Sequence, residues 1–282
     1  MKLLIIGVSG MLGQTLFKVA SQQSDLEVYG TVRRRTRRVL EFLQTEETRI
    51  FECDLEVAVD PSLYCSPDVV INCAGIIKQH GMAQTALSYV RVNALAPYIL
   101  AELCDHRGAR LIHISTDCVF SGHVGHYAEQ DIPDPVDLYD RSKLLGEVTQ
   151  APHLTVRTSF IGLDRFHNHG LSLLDWFIRQ SGEIEGYTRA IWSGLTTLEV
   201  SRNLVLLARR QEVTGLLHLC GEKISKYELL VLAKEIFDNA KVAIRPNGNY
   251  VCDRSLISSR LSELGITVPS IRQMLVELSN LK

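Results

Sequence analysis

The sequence predicts an α/β fold built on a doubly wound parallel sheet. Strand-like apolar runs alternate with segments of helical periodicity over residues 1–158. Residues 68–72 are apolar almost throughout, which is typical of a strand covered on both faces. A glycine-rich turn joins the first such run to the first helical segment, as in nucleotide-binding folds of the Rossmann type.

The elements follow one another in a regular order. We predict strands at 3–6, 26–32, 49–53, 68–72, 109–115 and 154–158, and helices at 11–21, 83–107 and 139–150. After residue 158 the pattern is weaker, with helices at 171–180, 198–209, 226–240 and 271–281 and a strand at 216–219. We therefore expect a dinucleotide-binding domain of residues 1–158 plus about 184–210. A smaller C-terminal α/β substrate domain would take about 159–183 plus 211–282.

Composition and charge exclude several classes of protein. The chain has 282 residues, of which 46% are apolar and 22% are charged, so an ordinary globular protein is expected. Lysine and arginine number 30 and aspartate and glutamate 32, a balance that argues against a nucleic-acid-binding surface. No apolar run reaches the roughly 18 residues of a membrane span, so no membrane partner is expected.

The N-terminus and the cysteines indicate a cytoplasmic protein. Residues 1–6 resemble the start of a signal peptide, but the glycines that follow at fixed spacing favour a buried strand and turn. The seven cysteines form no C-x-x-C pair, so neither a disulfide framework nor a zinc site is expected. His167 and His169 with Asp164 lack a third ligand at metal spacing, and we predict no metal.

A phosphate-binding loop is predicted between the first strand and the first helix. Gly7, Gly10 and Gly13 form a G-x-x-G-x-x-G motif that also includes Met11 and Leu12. Glycine allows the tight turn, the close approach of a pyrophosphate and the packing of helix on strand, and the helix N-terminus offers N–H groups to phosphate. The motif predicts dinucleotide binding, and its spacing favours short-chain dehydrogenases.

The residues after the second strand predict a preference for NADP, although NAD stays possible. Five arginines stand in the six positions 33–38, where NAD-binding sites usually carry an acid for the ribose hydroxyl. A guanidinium suits the 2′-phosphate of NADP, and we expect Arg33 and Arg34 to lie nearest to it. The alternative is a solvated basic loop. Further cofactor contacts are expected from Asp54 and Leu55 near the adenine, and from Ala74 and Gly75 after the fourth strand.

A tyrosine and a lysine are spaced for proton transfer. Tyr139 and Lys143 form Y-x-x-x-K, and positions i and i+4 share one face of a helix. The spacing predicts that the Lys143 ammonium lowers the pKa of Tyr139 from its usual value of about 10. Thr116 ends the fifth strand, at the same edge of the sheet as the glycine loop, where it can hydrogen-bond a substrate carbonyl. Asn93, on the long helix, either supports this site or only packs.

These motifs resemble the extended short-chain dehydrogenases/reductases, in the branch of dTDP-4-dehydrorhamnose reductase. The resemblance covers most of the chain and is carried by the glycine loop, by residues 115–122 and 139–147 and by residues 156–159. It implies that Thr116, Tyr139 and Lys143 are the catalytic triad, with Tyr139 and Lys143 also binding the cofactor. It further implies NADPH-dependent reduction of a nucleotide-linked 4-keto-6-deoxy sugar in polysaccharide biosynthesis, and it allows a homodimer.

The chain departs from the family pattern at several positions. Cys118 stands where the family usually has tyrosine, Phe160 replaces a tryptophan, and Gln14 and Thr15 replace a glutamate used in a magnesium-linked dimer. The resemblance places the sugar nucleotide against Asp117 and Cys118. Trp192 either contacts it or only packs, and Arg254 either pairs with its diphosphate or forms a surface ion pair.

Three alternatives to a simple reductase stay open. A dehydratase would need an Asp-Glu pair after the threonine, where Asp117 and Cys118 stand. A non-catalytic regulatory subunit would keep the fold but would not need the proton-transfer residues. A bifunctional epimerase-reductase would use Cys118 and His169 to move a proton beside the ketone.

Overall fold

The computed structural model describes residues 1–57, 65–78, 85–166 and 172–281. Its centre is a parallel sheet of seven strands in the order β10-β6-β5-β4-β1-β2-β3, which confirms the predicted fold class. The strands are β1 (Lys2–Ile6), β2 (Glu27–Val32), β3 (Ile50–Glu52), β4 (Val69–Asn72), β5 (Arg110–Thr116), β6 (Leu154–Thr158) and β10 (Gly215–His218).

Alternate residues of the central strands belong to two separate cores. Leu3 and Ile5 of β1 join one apolar cluster, and Leu4 and Ile6 join the other. Helices α1 (Met11–Ser21) and α7 (Thr197–Arg209) cover the first face, and α4 (Ala96–Arg107) covers the second. Because both faces are covered, the central strands are apolar nearly throughout.

The remaining helices are short, and several are shorter than the sequence predicts. They are α2 (Arg37–Leu43), α3 (Ala86–Tyr89), α5 (Leu138–Leu145), α6 (Leu173–Ile178), α8 (Lys226–Ile236), α9 (Ser259–Glu263) and α10 (Ile271–Ser279). The helix predicted to reach residue 150 ends at Leu145. Gly146 follows it so close to the Asn93 carbonyl that an added Cβ would lie 1.9 Å from that oxygen.

A second, smaller sheet lies outside the parallel one. Strand β8 (Gly182–Trp192) pairs in parallel with β12 (Val242–Asp253) and in antiparallel with β11 (Ile224–Ser225). A third sheet consists of the short strands β7 (Phe160–Ile161) and β9 (Leu195–Thr196). The boundaries of the two proposed domains stay a prediction, but residues 182–192 pair with 242–253 rather than with the parallel sheet.

Among the residues that the structure describes, no helix is both long and apolar enough to cross a membrane. Within the same ranges, no group of three or more potential ligand side chains is arranged to hold a metal ion.

Candidate active site

A cleft of about 740 Å³ opens at the carboxyl ends of the central strands. It brings together most of the side chains that the sequence singles out, although they come from many separate segments. Its lining includes Gly7, Gly10, Met11, Leu12, Arg33, Asp54, Leu55, Ala74, Gly75, Thr116, Asp117, Cys118, Tyr139, Lys143 and Trp192. Three predicted residues, Gly13, Arg34 and Arg254, do not line it.

The glycine loop fits a pyrophosphate. Gly7 adopts a left-handed conformation with φ of +85°, and a Cβ on Gly13 would lie 2.2 Å from the Gly7 carbonyl oxygen. Gly10 is the N-cap of α1 and supplies no side-chain cap, so the first N–H groups of this helix are open to a ligand. Gly13 therefore acts beneath the loop, by letting the helix pack against it.

The arginine cluster separates into two groups. Arg35 pairs with Glu47 at 2.9 Å, Arg37 pairs with Glu41 at 2.7 Å, and Arg38 donates to the Phe166 carbonyl at 2.8 Å. Arg33 and Arg34 are exposed, and neither has a hydrogen bond or ion pair with any residue that the structure describes. The cluster is thus partly structural, and these two guanidinium groups are available to a ligand.

Asp54 has a local structural contact as well as its place in the cleft. Its carboxylate accepts a hydrogen bond from the Glu56 backbone N–H at 3.0 Å. Leu55 beside it is buried in the core face formed by α4. The predicted adenine contact of these two residues stays a prediction.

Thr116 and Tyr139 meet inside the cleft. The Thr116 hydroxyl donates to the Asp117 carboxylate at 3.1 Å and also hydrogen-bonds the Tyr139 hydroxyl. Burial, reinforced by the charges of Asp117 and Asp140, raises the pKa of Tyr139 above its ordinary value. The sequence spacing predicts a lowered pKa, but Lys143 is not among the groups that shift this pKa, and burial raises it. The phenol is therefore protonated at neutral pH.

Lys143 is held by contacts that carry no negative charge. Its Nζ donates to the Ile114 carbonyl at 2.7 Å and lies 3.3 Å from His113 Nε2. Burial lowers the pKa of Lys143 to about 8, and burial together with the Lys143 charge keeps the pKa of His113 well below its ordinary value. His113 is therefore neutral and sets the position of the ammonium through hydrogen bonding.

A π-helical turn aims Asn93 at the site. Residues Val90–Leu95 form this turn, and Asn93 is fully buried. Its amide accepts from the Ile76 N–H at 2.9 Å and donates to the Ile76 carbonyl at 2.9 Å and to Ser142 Oγ at 3.0 Å. Asn93 thereby ties the loop after β4 to the helix that carries Tyr139, which favours the supporting role over plain packing.

Cys118 lies in a network of charges that the sequence did not predict. Arg254 Nη1 lies 3.3 Å from its sulfur, and the same guanidinium is 3.7 Å from Asp140. Lys78 pairs with Asp140 at 2.6 Å. Burial and the Asp117 charge raise the pKa of Cys118 to about 12, so the thiol is protonated. Arg254 thus contacts Cys118 and the fully buried Asp140 rather than forming a surface ion pair.

Lys226 lines the cleft and was missed by sequence reasoning. It is the first residue of α8, and its ammonium lies 4.7 Å from the centroid of the Trp192 ring. The Trp192 indole N–H donates to Ser159 Oγ at 2.8 Å, which fixes the ring. The predicted start of this helix at residue 226 is correct, and the capping box of Ser225 and Glu228 fixes it there. Nothing in the local sequence indicates that its first residue faces the cleft.

The histidines of the metal and epimerase hypotheses, His167 and His169, lie outside the described residues.

Comparison with known proteins identifies the family. The sequence profile of the family described as "RmlD substrate binding domain" matches residues 1–251. The chain belongs to this family. The predicted resemblance to the dTDP-4-dehydrorhamnose reductase branch is thereby confirmed.

Individual relatives are similar over different lengths. A probable low-salt glycan biosynthesis reductase of Haloferax volcanii is 34% identical over 152 residues, covering 51% of this chain and 46% of its own. The chain thus matches about half the length of that relative. The beta subunit of methionine adenosyltransferase 2 from Bos taurus is 26% identical over 292 residues, covering 94% of this chain and 83% of its own.

A solved structure extends the similarity to the whole RmlD-type fold. It is a hypothetical dTDP-4-dehydrorhamnose reductase from Sulfolobus tokodaii, with a TM-score of 0.74 and 25% identity. The similarity covers 96% of each chain.

Proposed function

We propose that this protein is an NADPH-dependent reductase of the 4-keto group of a nucleotide-linked 4-keto-6-deoxy sugar. The observation that carries the proposal is the meeting of Thr116, Tyr139 and Lys143 in one cleft with an open phosphate loop. The reductase names of the Haloferax and Sulfolobus proteins support it. We place the reaction in the cytoplasm, in deoxysugar or polysaccharide biosynthesis, and the predicted homodimer stays part of the proposal.

The residues of the cleft fit a dinucleotide. The glycine loop leaves room for a pyrophosphate, and Arg33 at the end of β2 is free to contact a ribose phosphate. Ala74 and Gly75 would lie along the cofactor. When bound, the nicotinamide supplies the hydride.

The proposed proton chemistry belongs to Tyr139. A reduction needs a protonated acid near the ketone oxygen, and the raised pKa keeps the phenol in that form. Thr116, which hydrogen-bonds the same phenol, would orient the ketone toward it. Lys143, placed by the Ile114 carbonyl and His113, would stabilise the phenolate that forms when the proton leaves.

Cys118 does not support the epimerase-reductase alternative, and His169, the other residue it would use, lies outside the described residues. A base that removes a proton beside the ketone would need a thiolate at Cys118, and the pKa of Cys118 is about 12. Arg254 and Lys78 both lower that pKa, but burial outweighs them. We therefore propose a reductase in which Cys118 lines the sugar pocket and contacts Arg254.

A second candidate is a non-catalytic subunit, because the bovine relative matches 94% of the chain and is named as a subunit of another enzyme. A binding subunit has no need of a proton donor beside a positioned lysine. The intact group of Thr116, Tyr139 and Lys143 therefore favours the reductase.

One experiment separates the two candidates. The purified protein is incubated with NADPH and dTDP-4-keto-6-deoxy sugars, and the nicotinamide absorbance is followed. A reductase consumes NADPH only when the sugar nucleotide is present. Absence of turnover, together with co-elution with a methionine adenosyltransferase catalytic subunit, would replace the reductase by the subunit.

A further inference from the structure

The cations near Thr116 and Tyr139 differ in whether an acid neutralises them. Lys78 pairs with Asp137 at 2.7 Å and with Asp140 at 2.6 Å, and Arg254 lies 3.7 Å from Asp140. The Lys226 ammonium, in contrast, has no carboxylate within 4.0 Å and donates no hydrogen bond within the described parts of the chain. At this end of the cleft its charge has no carboxylate in direct contact, and Asp117 acts on it only from a greater distance.

Trp192 positions this charge without neutralising it. The indole is buried, and its N–H is fixed by Ser159, so the ring offers one face to the ammonium at 4.7 Å. A cation–π contact holds a cation in place but leaves its hydrogen-bond donors free. Lys226 therefore presents N–H donors to the cleft from a defined position.

Burying the Lys226 ammonium in the cleft costs free energy. Burial lowers the pKa of Lys226 to about 8, although Asp117, Cys118 and Cys252 act in the opposite direction. An anion that entered the cleft would replace the lost hydration and make the contact that the protein does not supply. The arrangement is that of a binding group for a ligand anion.

The position of Lys226 limits which part of a ligand it can reach. Trp192, over which its ammonium lies, hydrogen-bonds Ser159, and Ser159 directly follows Thr158, the partner of Thr116 in the parallel sheet. Arg33 and the glycine loop line other parts of the same cleft. A group near Lys226 is therefore close to the reacting part of the substrate.

We infer that Lys226, held by Trp192, is the binding subsite for an anionic oxygen group of the substrate, either a carboxylate on the sugar or the diphosphate that follows it. The inference rests on the proposed function, because it assigns the group to a sugar nucleotide. A diphosphate agrees with the proposed 4-keto-6-deoxy sugar nucleotide, whereas a sugar carboxylate would replace that sugar by one that carries an acid.

The test uses ligands that differ by one charged group. Binding of UDP-glucuronic acid, UDP-glucose and UDP, and of their dTDP counterparts, is measured by calorimetry with NADP⁺ present. The proteins are the wild type, Lys226→Met, Lys226→Arg and Lys223→Met. Lys223 is an exposed lysine three residues earlier and serves as the matched control.

The two sources of the anion give different results. A carboxylate subsite predicts that Lys226→Met weakens UDP-glucuronic acid about tenfold or more and leaves UDP-glucose nearly unchanged, since a charge-assisted hydrogen bond is lost. A diphosphate subsite predicts equal weakening of all the ligands. In both cases Lys226→Arg keeps most of the affinity and Lys223→Met keeps all of it.

Other outcomes overturn the inference. If Lys226→Met binds every probe within about twofold of the wild-type affinity, Lys226 only packs and binds no anion. If the wild type binds none of the probes, the subsite does not exist. The reductase proposal fails separately. If Lys226→Met weakens binding but no 4-keto sugar nucleotide consumes NADPH, the subsite stands and the proposed reaction falls.

Discussion

The hydroxyl of Tyr139 is buried and hydrogen-bonded to Thr116, and both features bear on its chemistry. Burial favours the neutral phenol, and the hydrogen bond favours the phenolate. Because burial is the larger effect, the Tyr139 phenol keeps its proton until the reaction, and a reduction requires such a proton donor. The residue types and their helical spacing could be predicted from the sequence, whereas this balance depends on how deeply the helix packs.

Tyr139→Phe removes the transferable proton and leaves the ring in place. We expect kcat to fall by about 10²–10⁴-fold, the usual contribution of a general acid, with NADPH affinity little changed. Steady-state kinetics and a direct cofactor titration measure the two effects. Tyr98→Phe, at an exposed tyrosine of α4, is the control, and near-normal turnover of Tyr139→Phe would remove the assignment.

Arg33 and Arg34 are the two members of the cluster without a partner among the described residues, and this makes a prediction about cofactor choice. Arg33→Ala plus Arg34→Ala should weaken NADPH by about one to two decades and leave NADH nearly unchanged. Fluorescence titration with both cofactors measures this. Arg245→Ala plus Arg272→Ala removes two exposed charges elsewhere, and equal loss of NADPH and NADH would mean that the Arg33 and Arg34 contacts do not read the phosphate.

At the scale of elements, the site is assembled where a helix departs from α-geometry. The sequence predicts one long helix over residues 83–107, and the structure has α3, a π-helical turn and α4 between residues 86 and 107. Such a turn shifts the direction of the side chains within it, which is how Asn93 reaches Ile76 and Ser142. A single polar residue in a helical pattern does not disclose a change in helical winding.

Asn93→Ala tests the mechanical role of this turn. It would leave the Ile76 N–H and carbonyl without their partner in a buried place, at a cost of about 1–3 kcal/mol for each group. We expect the free energy of unfolding, measured with urea, to fall clearly. We also expect a lower kcat, because Ser142 lies on the helix of Tyr139. Asn247→Ala removes two exposed hydrogen bonds, one to Glu185 and one from the Asn249 N–H, and should change little by comparison. A stability equal to that of the Asn247→Ala protein would show that the turn does not depend on this amide.

Strands of the parallel sheet were predicted well because each is apolar and flanked by turns. The long strands β8 and β12 of the small sheet were missed. The inward side of β8 carries Ile184, Gly186, Thr188, Ala190 and Trp192, so its alternation of apolar and polar residues is weak. In β12 most residues are exposed, and Pro246 and Gly248 resemble a loop. Pairing of these strands comes from contacts that are distant in sequence.

For the molecule as a whole, the site affects stability as well as activity. The pKa of Lys226 is about 8 in the folded protein and 10.5 in its ordinary state. Below pH 8 both forms are protonated, and the cost of burying the ammonium is fully present. As pH rises from 8 to 10.5 the folded form loses its proton first, so this cost disappears.

Lys226→Met should therefore gain stability relative to the wild type at pH 7, and its advantage should shrink as pH rises toward 10. Urea unfolding at several pH values measures the difference in the free energy of unfolding between the two proteins. The buried cysteines titrate in both proteins, so their effect cancels in this difference. Lys223→Met is the exposed control. An advantage that stays constant or grows with pH would contradict the lowered pKa.

The outer side of β12 bears on the behaviour of the protein at high concentration. This strand ends the order β11-β8-β12, and an uncovered strand edge can pair with the same edge of a second molecule and begin aggregation. Pro246 has no N–H to offer to such a ladder, and the register shifts between Asn247 and Val251. We therefore expect the irregular middle of β12, which hid the strand from sequence analysis, to disfavour such edge-to-edge pairing.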